Sequence, residues 1–289
     1  MKRTAALVLF LLLMAVPALA DDPDRIEVLE NKLESLSFAL DQVGKKVDDL
    51  LWFQRVGDVA EIDKVFIPTV SDPDGEVGYG IDPERHPFKM WAYTFVPRGL
   101  DRSKKHPMLM LPHGGVHSDF GTYYTHVVRE LMAEGYVVVA PEYRGSTGYG
   151  RGYYESIDYG GLEVDDTVAA RDWALSVMPF TDPGRVGILG WSHGGLIALM
   201  AVFDHPDKFQ VAYAGVPVSD LVARMGYQTQ GYRDLYSVDY HIGETAHENV
   251  EEYRRRSPAW NAHKLKTPLL IHTNTNDNDV HVLEVEHLI

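Results

Sequence analysis

The pentapeptide Gly190-Trp191-Ser192-His193-Gly194 constrains this chain more than any other stretch, because an apolar run, 185–189, leads into it and a helix-like run, 196–203, leads out of it. A serine flanked by glycines at a strand-to-helix junction describes a sharp turn. The glycines remove Cβ atoms that would collide there, and the start of the helix sets partial positive charge beside the hydroxyl. That context predicts a nucleophile elbow and makes Ser192 the candidate nucleophile. Without the flanking strand and helix the same residues would be an ordinary glycine-rich turn.

A strand-turn-helix unit belongs in a layered sheet, and the rest of the chain supplies one. Short apolar runs at 65–68, 89–96, 107–111, 136–140, 185–190, 211–216 and 268–273 are the expected strands, and 121–134, 164–177, 194–203 and 250–255 the expected helices. The run Tyr136-Val137-Val138-Val139-Ala140 is apolar at consecutive positions, as a central parallel strand covered by helices on both faces must be. The order is α/β, with a mostly parallel central sheet flanked by helices and no internal repeat.

Residues 1–20 have the pattern of an export signal: Lys2 and Arg3, an apolar run over 5–16, then Pro17 and Ala18-Leu19-Ala20. The expected location is therefore periplasmic or extracellular, and removing the two cations takes the net charge from −15 to −17. Such a charge argues against nucleic acid as a partner. With no cysteine, disulfides, thiol catalysis and cysteine zinc sites are excluded. Residues 21–56 form a separate amphipathic unit. Ile26, Leu29, Leu33, Leu36, Leu40, Val43, Val47 and Leu50 recur at spacings of three and four, the a/d seam of a heptad helix. Its polar positions include Glu27, Glu30, Lys32, Glu34, Asp41, Lys45 and Lys46, and Trp52-Phe53 make its end more apolar. The seam either pairs chains through residues 26–50, giving a homo-oligomer, or lies on the chain's own catalytic domain, 57–289.

An acyl-transfer serine needs an oxyanion hole, a base and a group that orients the base. His113-Gly114-Gly115 follows the third expected strand, so the Gly115 amide is one candidate oxyanion donor and the His193 amide, just after the nucleophile, the other. Further motifs follow in order: Tyr143-Arg144-Gly145-Ser146-Thr147-Gly148-Tyr149-Gly150, Gly160-Gly161 with Asp165-Asp166, the 190–195 elbow, Ser257-Pro258 and Leu269-Leu270-Ile271-His272. From about Pro107 onward this series resembles the catalytic domain of the prolyl oligopeptidase family of serine peptidases, especially its acylaminoacyl-peptidase-like branch. The resemblance implies an α/β-hydrolase fold and peptide hydrolysis through an acyl-enzyme, with no metal or organic cofactor. It also implies an acidic triad member just after the 268–273 strand in a D-x-x-V setting, which Asp277 and Val280 fit. Thr273 stands where the family has glycine and 274–276 add a residue, which leaves Asp279 as the alternative. A calcium loop starting at Asn274 is rejected, since Asp279 replaces its turn glycine and Val285 its bidentate glutamate.

In α/β-hydrolases the triad histidine follows the acid after one more strand. Here twelve residues follow Asp277, and 281–289 reads as the beginning of a helix. The expectation is thus a domain lacking its last strand, last helix and histidine loop, with the base encoded beyond Ile289, the alternatives being a base supplied by a partner or a degenerate hydrolase. His193, His281 and His287 are expected to be polar surface or interface residues. Residues 221–240, rich in aromatics, are expected to line an acyl pocket with Arg224 and Tyr227 as candidate substrate-binding residues, or else to form an exposed insertion. The family's β-propeller has no room in 21–106, which would admit larger or different substrates; because ester and amide acyl transfer use the same residues, a carboxylesterase acting on a small acyl substrate stands beside the peptidase. A non-catalytic binding protein is the reading from the other class.

Overall fold

The computed structural model describes residues 23–69 and 88–289; the export signal expected at 1–20 lies outside them. Helix α1 (Pro23–Val56) leads into a seven-stranded sheet: β1 (Ala60–Pro68), β2 (Lys89–Pro97), β3 (His106–Met110), β4 (Val137–Glu142), β5 (Thr181–Trp191), β6 (Val211–Gly215) and β7 (Leu269–His272). Their spatial order is β1-β2-β4-β3-β5-β6-β7. The first two strands pair antiparallel, and the ladders from β4 to β7 are all parallel. Helices α2 (Thr125–Ala133), α3 (Leu162–Val177), α4 (His193–Asp204) and α5 (Val282–Leu288) complete the layers, with further short helices after β4 and between β6 and β7.

Side-chain alternation on β4 shows why both sheet faces are apolar. Val137 and Val139 enter the core packed by α3 and α4, whereas Val138 and Ala140 enter the one holding Trp52, Phe95, Phe120 and Val128. Strand β1 begins five residues before the apolar run at 65–68. It is an edge strand paired only to β2, so Glu61 and Asp63 face outward and break the apolar signal.

Helix α1 lies on the second core by the face opposite its heptad seam. Trp52 is fully buried and stacks on Phe120, centroids 5.4 Å apart, while Phe38 meets the Tyr154 ring edge-on. Lys45, which the sequence pattern places among polar positions, is buried with its Nζ 2.8 Å from Glu142 Oε1, 3.0 Å from Asp119 Oδ2 and donating to the Phe120 carbonyl. Glu142 is fully buried, so the lysine balances a charge that no solvent screens. Asp48 accepts from the Thr122 amide and hydroxyl at the start of the turn before α2. At Gly148, with φ +85°, a Cβ would sit 2.5 Å from Lys45 Cβ, so this loop admits the helix only because it carries glycine there. The seam does not lie on the catalytic domain: all eight of its residues are 42–72% exposed.

Candidate active site

Ser192 sits between β5 and α4 with φ 56° and ψ −119°, a conformation costly for a residue with a side chain. The surroundings hold it there. Its amide donates to the Gly215 carbonyl of β6, and its own carbonyl accepts from the amides of Gly195, Leu196 and Val218 at 3.0–3.2 Å. A Cβ on Gly190 would lie 2.2 Å from the Gly194 oxygen, and one on Gly194 2.4 Å from the Pro112 oxygen. The turn therefore tolerates no side chain at either glycine, as the pentapeptide requires. The Ser192 side chain is half-buried, and its hydroxyl has no hydrogen-bond partner among the described residues.

The His113-Gly114-Gly115 loop is packed directly on this turn: a Cβ on Gly114 would stand 2.9 Å from the Trp191 oxygen and 3.5 Å from Ser192 Cβ. Two tyrosines fix the loop. The Tyr143 hydroxyl lies 3.0 Å from the carbonyls of both His113 and Gly115, and Tyr124 Oη accepts from the Gly114 amide at 2.9 Å. Gly115 adopts φ +76°. Neither its amide nor that of His193 donates to a described residue. A pair of unengaged donors beside a hydroxyl at a helix N-terminus is what stabilises an oxyanion. Tyr143 and Tyr124 escaped the sequence reading as holders of this loop, although Tyr143 opens one of the motifs.

Asp277 lies in the turn after β7, at the same carboxyl edge of the sheet as Ser192 and two strand spacings away, roughly 10 Å across the ladder. Its Oδ1 accepts from the amides of Asp279 and Val280, 2.9 Å each, and Val280 is buried as an anchor. Asp279, the alternative, points elsewhere: its Oδ1 accepts from Arg224 Nη2 at 3.0 Å.

Arg224 and Tyr227, the candidate substrate-binding residues, are both engaged within the chain: Arg224 is buried and Tyr227 is exposed at one side. Arg224 is 2% exposed, and its guanidinium donates to Tyr232 Oη, Tyr227 Oη, the Asp279 carbonyl and Glu284 Oε1 at 2.8–3.0 Å. Tyr227 donates to Glu284 and to the Asp279 carbonyl. Glu284, from α5, is fully buried and accepts from the amides of Ser219 and Asp220 through its other oxygen. These bonds tie the Asp277 turn to α5 and to the helix Leu221–Tyr227, so the pair braces that turn. No periodicity announces a buried glutamate in α5, which is why the hub was missed.

The histidines are placed unlike the expectation in one case. His193 is not a surface residue: its imidazole is buried 3.2 Å from Glu163 Oε1, and Glu163 accepts from the amides of Gly160 and Gly161. His281 caps α5, and His287 pairs with Asp220 at 2.5 Å. His113 is buried against Ser146 Oγ at 2.8 Å, and burial holds its pKa down. Above the loop His117 and His241 share an Nε2 to Nε2 hydrogen bond of 2.9 Å, with burial pushing their pKa values down to about 4 and about 3. None of these imidazoles is hydrogen-bonded to Ser192.

Sheet order, strand directions and the strained serine after β5 define an α/β-hydrolase with its nucleophile turn intact. The chain belongs to the prolyl oligopeptidase family, whose model matches residues 122–289. It is 31% identical over 199 residues to the uncharacterized peptidase YuxL of Bacillus subtilis, covering 68% of this chain and 30% of that protein. To the acylamino-acid-releasing enzyme of Arabidopsis thaliana it is 30% identical over 191 residues, 64% of this chain and 25% of the enzyme. The chain thus spans under a third of the length of these relatives. Among solved structures it shares its fold with Pyrococcus horikoshii acylaminoacyl peptidase at TM-score 0.66 and 22% identity, covering 82% of this chain and 35% of that one. A puromycin-hydrolyzing peptidase of Mycobacterium tuberculosis superposes at TM-score 0.64 and 24% identity, over 79% of this chain and 32% of that one.

Proposed function

We propose that this chain is the catalytic unit of an exported serine peptidase that cleaves peptide bonds through an acyl-enzyme on Ser192. In this reading the Ser192 hydroxyl attacks the scissile carbonyl, the amides of Gly115 and His193 receive the negative charge that develops on its oxygen, and Asp277 orients the imidazole that carries the proton. The observation that supports it most is the strained Ser192, its hydroxyl unpartnered, with the two unengaged amides of the turn and of the loop packed on it. Export rests on the pattern of residues 1–20 alone. The relatives named acylamino-acid-releasing enzyme direct the choice of first substrate, an N-acylated amino-acid anilide.

No described histidine is bonded to Ser192, and losing a triad histidine costs about 10⁶ in kcat in subtilisin. Turnover by the 289-residue chain is therefore expected to be very low. The assay accordingly supplies free imidazole as proton carrier and compares the anilide with a short-chain nitrophenyl ester. The reading expects both products to form, imidazole to speed both, and Ser192→Ala to abolish both. Cleavage of the ester alone would make the protein an esterase, and product formation by Ser192→Ala would remove Ser192 from the reaction.

A further inference from the structure

We propose that the exposed face of α1 pairs with the same face of a second copy of this chain, as a parallel two-stranded coiled coil. The inference stands on α1 and is independent of the reaction at Ser192.

The helix is two-faced. With Ile26 as the first a position, the a residues are Ile26, Leu33, Leu40 and Val47 and the d residues Leu29, Leu36, Val43 and Leu50. Of the side chains that dock on the catalytic domain, Phe38, Lys45 and Trp52 fall at f, opposite the seam, and Glu34, Asp48 and Asp49 at the flanking b and c positions. Docking therefore fixes α1 with its seam turned outward, where the eight residues are 42–72% exposed. Eight aliphatic side chains at that exposure form a contiguous apolar strip of several hundred Å². A strip of this size marks an interaction site rather than ordinary surface, and is comparable with the roughly 800 Å² that each partner of a standard interface buries. The first turns have a further need. Residues 25–33 are all exposed and lie ahead of Glu34, whose ion pair with Arg151 is the first side-chain contact α1 makes with the domain among the described residues. An isolated helical stretch that short is marginal in water.

Charge selects the occupant and its direction. The g positions are Arg25, Lys32, Ala39 and Lys46, and the e positions are Glu30, Ser37, Gly44 and Leu51. In a parallel pair each g residue faces the e residue five places on in the other helix, so Arg25 meets the partner's Glu30 twice per dimer, and no like charges meet at the other g/e contacts. An antiparallel pair would set g against g, and with Ile26 opposite the partner's Leu50 it would bring Lys32 against Lys46 twice per dimer, both cationic. β-Branched residues at the outer a positions and leucine at three of four d positions favour two strands.

The test uses the whole chain. Light scattering at micromolar concentration is expected to give twice the chain mass, and Leu33→Lys with Leu40→Lys to halve it. Those side chains are 70% and 71% exposed, so the substitutions leave the folded monomer intact, which its circular dichroism spectrum checks. Because the chain has no cysteine, Leu29→Cys introduces a single thiol, expected to link two chains by a disulfide on mild oxidation, one S–S bond formed as two thiols are oxidised. An antiparallel pair separates the two copies of residue 29 by nearly the length of the seam and gives no such link. A wild-type monomer, or a dimer that survives the double lysine substitution, would overturn the pairing. A dimer in which Leu29→Cys stays unlinked while a mixture of Leu29→Cys and Val47→Cys chains crosslinks would overturn the parallel register.

Discussion

Replacing Arg224 by methionine separates a structural arginine from a substrate-binding one. Glu284 is fully buried, and among its described partners Arg224 alone is cationic. Removing one member of a buried pair leaves the other charge uncompensated, at a cost of about 3–5 kcal/mol. The contact to the Asp279 carboxylate, whose side chain is 72% exposed, adds less than about 1 kcal/mol. Against the 5–15 kcal/mol typical of a whole domain, the loss is expected to lower Tm by on the order of 10 °C. Urea denaturation followed by tryptophan fluorescence measures it. In a Glu284→Gln background the uncompensated charge is gone, so Arg224→Met should cost about 1–2 kcal/mol less there, the coupling expected of residues in one network. An arginine that only lined an open pocket would change stability by less than about 0.5 kcal/mol. A loss that small, or one unaffected by the Glu284→Gln background, would refute the assignment of Arg224 to the frame behind Asp277.

Three further outcomes follow from the same geometry. Lys45→Met strands the buried Glu142 carboxylate and is expected to cost about 3–5 kcal/mol in the same denaturation assay, where a loss under about 1 kcal/mol would show that the helix docks by Trp52 without its lysine. Because burial lowers the pKa of His117 to about 4 and of His241 to about 3, below the value near 6.5 of the unfolded chain, the unfolded state binds more protons between these limits. Stability contributed by the neutral pair is full above pH 6.5 and falls as pH drops toward 4, by up to about 1.4 kcal/mol per pH unit for each imidazole, and His241→Gln should flatten a plot of unfolding free energy against pH. Gly194→Ala drives a Cβ to 2.4 Å from the Pro112 oxygen, so it should part the elbow from the His113-Gly114-Gly115 loop and slow acylation of Ser192, read by intact mass spectrometry; an unchanged rate would show that this contact is dispensable.

Parts of the molecule that declare themselves in sequence are those in which one physical demand acts alone. Strand β4 is apolar at consecutive positions because helices cover both its faces, and the 190–194 turn announces itself because only glycine fits beside Ser192. Where two demands compete, the pattern misleads. Lys45 occupies a polar helix position yet is buried, since the partners that balance it, Asp119 and Glu142, come from distant segments. For Arg224 the sequence around it gives no sign of its buried partners, Glu284 and the Asp279 backbone, which lie more than fifty residues away. The heptad seam was legible as a seam, but which face docks depended on Phe38, Lys45 and Trp52, whose partners the helix alone does not reveal. Asp277 was singled out only by the D-x-x-V resemblance, and the turn uses that spacing to hold its carboxylate, since both amides from which Oδ1 accepts lie within it.

The most direct measurement is the site of covalent modification by a fluorophosphonate in the presence of imidazole, mapped by peptide mass spectrometry. The account predicts a single adduct on Ser192, formed faster as imidazole is raised and absent from Ser192→Ala. Modification of another residue, or a Ser192 that stays unmodified at saturating imidazole, would contradict it.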